Sequence, residues 1–440
     1  MVVLMDSIKV GLLGMGVVGS GTWTVLDRNA KEIARRAGRN IEISKIATLN
    51  VDHARSLVNG KTEVIQNAYD IVRDPNIDIV VELIGGDTIA LDLVREAIDN
   101  GKHVVTANKA MLAKHGNEIF AKASSKGVIV AFEAAVAGGI PIIKAIREGL
   151  TANRIKFIAG IINGTTNFIL SEMRSTGLPF KEVLSKAQKL GYAEADPTFD
   201  IEGVDAAHKL TLLASLSFGI PVQFQSAYIE GISQLSSEDI TYAEKLGYRI
   251  KLLAITKYRA DGIELRVHPA LISSSCLLAS VEGAMNAVFV KGDAVGPTLY
   301  YGQGAGGEPT ASAVIADLVD VTRLQTADPG NRVPHLAFQA DALSDARILP
   351  IELISTSYYL RLRVIDQPGV LSEISKILAV SNISIGSMIQ EICSNSKNEA
   401  DIIFITHESI ERNINQAIKQ IESLPVVQSK VTRLRIESIN

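Results

Sequence analysis

Cysteine is nearly missing from this chain: Cys276 and Cys393 are the only two in 440 residues. A pair so far apart makes neither a disulfide framework nor a cysteine-rich metal cluster, and it points to a reducing, cytoplasmic setting. Aromatic residues are scarce too, at 5% with a single tryptophan. Positive charge is not in surplus: 44 Lys+Arg face 48 Asp+Glu, a net charge of −4, which argues against a nucleic-acid-binding protein. Long apolar runs are also lacking. The best candidate, 127–143, carries Glu133, a Gly138-Gly139 pair and Pro141, and reads as a buried strand followed by a break rather than a membrane span. The first apolar stretch, 8–14, has no basic segment ahead of it and reads as a short strand, not a signal-peptide core. What remains is ordinary globular composition, 47% hydrophobic and 21% charged. The length suits about three domains at roughly 150 residues each.

Over the first 130 residues strand and helix signals alternate. Strands read at 8–13, 41–49, 77–84, 103–106 and 127–132, with helical patterns up to about 36, at 89–100 and at 109–125. Strands separated by long helices predict βαβ units and a doubly wound parallel sheet of the Rossmann type. From Pro141 the rhythm changes to an α+β arrangement, with helices at 141–149, 165–176, 180–189 and 203–218 and strands at 154–162, 263–267 and 287–292. A helix at 309–322 follows a glycine-dense turn, and 326–349 carries turn chemistry without periodicity, as a linker would. The last 80 or so residues read strand 358–364, helix 370–381, strands 383–392 and 399–407, helix 409–424 and strand 431–436. That order, βαββαβ, predicts a separate ferredoxin-like domain.

Gly14-Met15-Gly16-Val17-Val18-Gly19 is a G-x-G-x-x-G placed between a strand and a helix. Its glycines allow a tight turn and a close approach to a pyrophosphate, and the helix start offers free N–H groups. The second strand ends Ala47-Thr48-Leu49-Asn50, with neither the acid that holds an NAD ribose nor an arginine for NADP. Thr106-Ala107-Asn108-Lys109 follows a short strand at the ligand-binding edge of such a sheet, and a lysine at a helix start is disfavoured by the dipole unless it has a role. The densest constellation runs from Gly191 to Lys209. Glu194, Asp196, Asp200 and Glu202 precede a helix bearing Asp205 and Lys209 four residues apart. Read plainly, that is a surface ion pair. Lys209, however, shares a face with Leu212, Leu213 and Leu216, so it points inward and needs a partner. A paired, partly desolvated lysine suits proton donation, and the carboxylates upstream suit an amine-bearing substrate.

With these motifs together, and with Asn163-Gly164-Thr165-Thr166-Asn167 and Gly304-Ala305-Gly306-Gly307-Glu308-Pro309-Thr310, the chain resembles homoserine dehydrogenases over nearly its whole length. The resemblance implies reversible, NAD- or NADP-dependent reduction of L-aspartate 4-semialdehyde to L-homoserine, in the biosynthesis of threonine and methionine. It implies catalytic roles for Lys209, Lys109 and Asp205, and substrate binding by Glu194 and Asp200. Cofactor contacts are expected from Gly14, Gly16, Val17, Val18, Gly19, Thr106, Lys109 and Gly306. A monovalent cation, sodium, is expected at Glu133, Val136, Gly138 and Ile140. The arginine that many members carry near the end of the second strand is Leu49 here, which leaves NAD and NADP both open.

The final unit resembles an ACT domain through Asp366-Gln367-Pro368-Gly369-Val370-Leu371 and Ser381-Asn382-Ile383-Ser384-Ile385. That implies an amino-acid effector, threonine first, near Asp366, Gly369, Val370, Asn382 and Ile383. The implied division is a dinucleotide-binding domain at 1–135 completed by 305–325, a catalytic and dimerisation domain at 136–304, a linker at 326–354 and a regulatory domain at 355–440. A homo-oligomer, dimer or tetramer, is expected, with neither nucleic acid nor membrane as partner. Because the fingerprint begins so near Met1, no kinase fused ahead of it is expected. A catalytically silent amino-acid sensor, or a dehydrogenase of another small semialdehyde, are the competing readings.

Overall fold

Strands buried on both faces need helices on either side, and the front of the chain supplies them. The computed structural model describes residues 7–58, 60, 62–392 and 398–439; Cys393 lies outside them. The chain begins β1 (Ile8–Leu13), α1 (Val17–Arg28), α2 (Ala30–Ala37), β2 (Ile41–Ala47), α3 (Val51–Leu57), β3 (Glu63–Ile65) and α4 (Tyr69–Val72). Then come β4 (Ile79–Glu82), α5 (Ile89–Asp99), β5 (His103–Thr106), α6 (Lys109–Lys126) and β6 (Val130–Ala131). The middle runs α7 (Ile142–Lys144), β7 (Ile155–Ile161), α8 (Gly164–Thr176), α9 (Phe180–Lys189), α10 (Thr198–Ile201) and α11 (Val204–Phe218). It continues with β8 (Tyr228–Ile229), α12 (Ser237–Lys245), β9 (Tyr248–Arg259), β10 (Gly262–Ser273), β11 (Met285–Gly292), β12 (Pro297–Gln303) and α13 (Gly307–Leu324). The chain closes with β13 (Ser355–Ile365), α14 (Val370–Val380), β14 (Ile385–Ile392), β15 (Glu399–Thr406), β16 (Ser409–Ile410), α15 (Glu411–Glu422) and β17 (Thr432–Glu437).

These elements gather into two compact units. The first holds the chain up to Gly164 together with Val204–Ala227 and Ala284–Ala346. Its parallel sheet has the order β3-β2-β1-β4-β5-β6, so the winding reverses between β1 and β4, where doubly wound folds bind ligands. Val10, Leu12, Ile79 and Val81 are wholly buried in it. Helix α13 packs on α1 so tightly that a Cβ on Gly21 would lie 2.5 Å from the Gly307 carbonyl oxygen. The Arg28 guanidinium grips Glu308 with two bonds of 3.0 and 2.8 Å. A second, antiparallel sheet joins β7, β11 and β12. Residues 326–346 hold only two single 3-10 turns, Pro329–Asn331 and Ala340–Ala342, among the described elements, and are strapped down. Arg332 donates to the carbonyls of Gly127, Gln325 and Ala327, and His335 accepts from the Val130 N–H.

The second unit holds Thr165–Gly203, Tyr228–Gly283 and the chain from Arg347 on. The ferredoxin-like part shows the strand order β17-β13-β15-β14, antiparallel throughout, with α14 and α15 closing a core of Leu360, Leu362, Ile374, Phe404, Ile414 and Ile421. Its last strand does double duty, because β17 also pairs in parallel with β10. Charged side chains bind that seam: buried Arg266 on β10 reaches Glu437 at 2.5 and 3.2 Å, and Arg361 on β13 reaches Asp239 at 2.6 Å.

Several expectations of local structure are corrected. The first helix does not run unbroken to 36; Asn29, a poor helix former, leaves helical geometry and starts α2. The strand expected at 263–267 is the first half of a twelve-residue strand hydrogen-bonded along its length to β9, which is buried on both faces and so lacks the alternation that reveals strands. The helix expected from 409 starts at Glu411, after the short strand β16.

Removing residues 355–440 strips Arg266 of Glu437 and Asp239 of Arg361. Breaking a buried pair costs about 3–5 kcal/mol. A chain ending at Ile354 is therefore expected to melt many degrees below the full chain in differential scanning fluorimetry; an unchanged midpoint would refute this account of the seam.

Candidate active site

The β1–α1 turn is shaped by steric need. Gly14 sits at φ +96°, and a Cβ there would lie 2.7 Å from the Leu83 carbonyl oxygen. A Cβ on Gly19 would strike the Gly14 carbonyl at 2.2 Å, whereas Gly16 faces open space. Gly16 is the N-cap of α1 and puts no side-chain acceptor over its first N–H groups, those of Val17 and Val18 among them, a helix start of the kind that can receive an anion. Gly306, at φ +127°, caps α13 beside this turn, and Gly307 approaches the Val17 carbonyl.

The ends of β4 and β5 are tied by a residue that the sequence reading passed over. The buried carboxylate of Glu82 accepts from the Ile84 and Gly85 N–H groups at 2.8 and 3.0 Å and from the Thr106 hydroxyl at 2.6 Å. Thr106 in turn accepts from the Asn108 N–H, and the Asn108 side chain caps α6 by accepting from the Met111 N–H. This chain of bonds places Lys109 at the first position of α6.

Lys109 there meets its counter-charge. Its Nζ lies 3.3 Å from Oδ1 of Asp205, whose Oδ2 lies 2.6 Å from the Lys209 Nζ. The Asn163 amide donates to the same Oδ2 at 2.9 Å, and Lys209 also donates to the Ile162 carbonyl at 2.8 Å. Burial opposes charge on Asp205, but Lys209 and Lys109 outweigh it and hold the carboxyl well below the usual carboxylate range. Lys209 is almost fully covered, with its side chain 11% exposed, while Lys109 keeps 37%. The site thus holds one carboxylate shared by two lysines, one buried and one open to solvent. Asn163 lies in a motif read for resemblance only; nothing in its spacing announced its bond to Asp205.

Glu194 and Asp200 lie in the second unit. Glu194 is exposed in the turn before α10, and Asp200, within α10, lies 3.1 Å from the Thr165 hydroxyl, which also reaches the Tyr192 carbonyl at 2.7 Å. That places both carboxylates on the segment running into α11, with Gly203 at φ +83° between Asp200 and Asp205.

At the turn after β6, Glu133 is buried, its two carboxylate oxygens accepting from the Ile143 and Lys144 N–H groups. Burial, reinforced by Asp317, raises its pKa to about 7. Val136, Ala137 and Ile140 are buried; Ala137 and Gly138 both adopt left-handed backbone, and a Cβ on Gly138 would lie 2.4 Å from the Gly304 carbonyl. Among the described residues no three His, Cys, Asp or Glu side chains cluster as a metal site. In the ferredoxin-like part, Gly369 at φ +95° caps α14, the Asp366 N–H bonds the Asn398 carbonyl, and Asn382 turns the chain at φ +58°. Val370 and Ile383 are core residues, each 4% exposed.

Comparison with known proteins agrees along the whole chain. Residues 14–133 match the NAD-binding domain of homoserine dehydrogenase, 141–319 match homoserine dehydrogenase itself, and 358–426 match the ACT domain. A homoserine dehydrogenase of Pseudomonas aeruginosa is 60% identical over 99% of this chain and all of its own. The crystal structure of a homoserine dehydrogenase from Thiobacillus denitrificans superposes with a TM-score of 0.94 at 64% identity, covering 99% of each chain. A hyperthermophilic archaeal homoserine dehydrogenase in complex with NADPH, 26% identical, superposes at 0.61 over 72% of this chain and 98% of its own. The protein belongs to the homoserine dehydrogenase family of oxidoreductases, with an NAD-binding domain at its front and an ACT domain at its end.

Proposed function

We propose that the chain reversibly reduces L-aspartate 4-semialdehyde to L-homoserine, and that Lys209 delivers the proton. The observation that supports this most is the buried Lys209 held at once by Asp205 and the Ile162 carbonyl. An aldehyde oxygen that gains negative charge as its carbon is reduced needs a cation beside it, and a proton to become an alcohol. Asp205 aims the Lys209 ammonium, and Asn163 keeps Asp205 aimed. Lys109, more open, adds a second positive charge. Glu194 and Asp200 hold the substrate ammonium.

When bound, a nicotinamide cofactor supplies the hydride in reduction and takes it up in oxidation. The turn of Gly14, Gly16, Val17, Val18 and Gly19 fits its pyrophosphate, because Gly16 opens to space where a side chain would intrude. Thr106, Lys109 and Gly306 are assigned as further cofactor contacts, with Lys109 on the nicotinamide side. At the tip of β2, Leu49 is 89% exposed and the Asn50 side chain is spent on capping α3, so this edge offers neither cofactor a charged grip at its tip. The proposal therefore takes NAD(P) without preference. The turn Glu133–Ile140 is proposed to hold a monovalent cation: a buried, left-handed turn of neutral carbonyls suits a weakly charged, oxygen-seeking ion. The ACT domain is proposed to bind threonine near Asp366, Gly369, Val370, Asn382 and Ile383, with core Val370 and Ile383 shaping that end rather than touching the effector. The expected divisions at 135, 304, 326 and 355, a homo-oligomer, and a cytoplasmic location belong to the same reading; no helix among the described residues is long and apolar enough to cross a membrane.

Steady-state oxidation of L-homoserine with NAD and with NADP, each with and without L-threonine, is the primary test. Turnover that threonine depresses is expected; no turnover with either cofactor refutes the substrate assignment, and threonine-insensitive turnover refutes the effector. Replacing Lys209 by alanine is expected to lower kcat about 10²–10⁴-fold, the usual worth of a positioned acid or base, while the cofactor KM stays within about twofold. A kcat near that of the parent removes Lys209 from the proton step. Exchanging sodium for choline at constant ionic strength is expected to lower the melting midpoint; identical melts would leave the turn without its ion.

A further inference from the structure

The segment that follows α11 and its loop is gripped from two sides. On one side it meets the ACT domain. Glu230 accepts from Arg435 at 2.9 Å, from Arg433 at 3.4 Å and from the Tyr228 hydroxyl at 2.6 Å. Arg435 is wholly buried on β17 and is held at its other edge by Glu411, at 2.9 and 2.5 Å, at the start of α15. Glu411 is itself 1% exposed and accepts from the Tyr358 hydroxyl at 2.8 Å. Tyr358 sits opposite Arg435 in the β13–β17 register. The Glu230 carboxylate is therefore anchored to two strands and a helix of the ACT domain.

On the other side, the same few residues press on the substrate segment. The Ile232 N–H donates to the Ile201 carbonyl at 2.8 Å, at the end of α10. A Cβ on Gly231 would lie 2.5 Å from the Glu202 carboxylate and 2.5 Å from the Ile201 carbonyl oxygen. A Cβ on Gly203 would touch Val267, Ile229 and the Glu230 carbonyl. Backbone is thus laid on backbone between Asp200 and Asp205, with no slack for either side to move alone.

We propose that Glu230 is a positioning residue: through its pair with Arg435 it transmits the state of the ACT domain to the Ile201–Gly203 turn, and so sets the seat of Asp200 for the substrate ammonium. This rests on Asp200 as the substrate anchor. The link carries a further consequence. A signal arriving by it changes the affinity for the amino-acid substrate and leaves cofactor binding alone, because none of its residues belongs to the β1–α1 turn or the β4–β5 edge.

The test is full-length Glu230→Gln, Gly231→Ala, their double variant, and Lys245→Ala. Lys245 pairs with Glu391 of the ACT domain at 2.8 Å on an exposed surface and touches neither the buried cluster nor the 201–203 turn. Glu230→Gln keeps an acceptor for Arg435 and Tyr228, and Gly231→Ala crowds the 201–202 backbone and the Glu202 carboxylate while leaving Glu230, Arg435 and Glu411 in place, so the two reach the same turn by different routes. Both are expected to raise the homoserine KM about five- to tenfold, the scale of coupling through such networks, with the cofactor KM within about twofold. The double variant is expected to fall short of the product of the two effects, and Lys245→Ala to match the parent. Equal rises in both KM values, a lowered kcat alone, or multiplicative effects in the double variant would overturn the link. A parent enzyme that does not oxidise homoserine at all would instead overturn the functional reading, and is scored before any variant.

Discussion

An ammonium taken out of water needs a fixed counter-charge, and the whole candidate site is arranged around that need. Asp205 meets it for Lys209 at 2.6 Å and is shared with Lys109 at 3.3 Å. One carboxylate between two lysines leaves a net positive site, which is what a developing alkoxide requires. The arrangement holds only if Asp205 cannot swing away, and this is why Asn163, the Ile162 carbonyl and helix α11, buried from Asp205 to Ser217, matter as much as the charges. Remove any one and the remaining charges lie buried with fewer partners than burial demands.

The nucleotide side is organised by a different constraint, the volume of a Cβ. Gly14, Gly19 and Gly21 are each forced by a carbonyl oxygen that a methyl group would strike, and only Gly16 is left free of such a neighbour. Gly14 and Gly19 therefore build the turn, Gly21 seats α13 against α1, and Gly16 leaves room beside the turn. Glu82 and Thr106 then align the β4–β5 edge so that α6 begins with its lysine toward Asp205.

How much of this was legible depended on distance along the chain. The strand–turn–helix around Gly14, and the Asp205–Lys209 pair four residues apart, are local patterns, and both are present as read. The meeting of Lys109 with Asp205 is set by where β5 ends and α11 starts, and no spacing encodes it; the dipole argument showed only that Lys109 needed a reason. Asn163 and Glu82 were hidden for the same cause, since their partners come from other elements. The strand β9 was hidden by burial on both faces, and the strapping of 326–346 by resting on Arg332 and His335, whose partners are backbone groups that sequence does not distinguish. Helix α12 is the exception that was missed without excuse: Ser236 and Asp239 form a capping box, a signal present in the letters.

The double pairing of β17 has a consequence for how the chain is made. Strand β10 ends at Ser273, and the strand that covers its open side begins at Thr432. At synthesis speeds of about 5–20 residues per second, the 158 residues between them take on the order of ten seconds to emerge. For that interval an apolar strand, flanked only by β9 and the short β8, presents unmatched N–H and C=O groups next to the half-neutralised Arg266. The second unit cannot finish its sheet until β17 has left the ribosome, so a chain cut short before Thr432 carries a sticky edge, a form marked for chaperones and proteolysis.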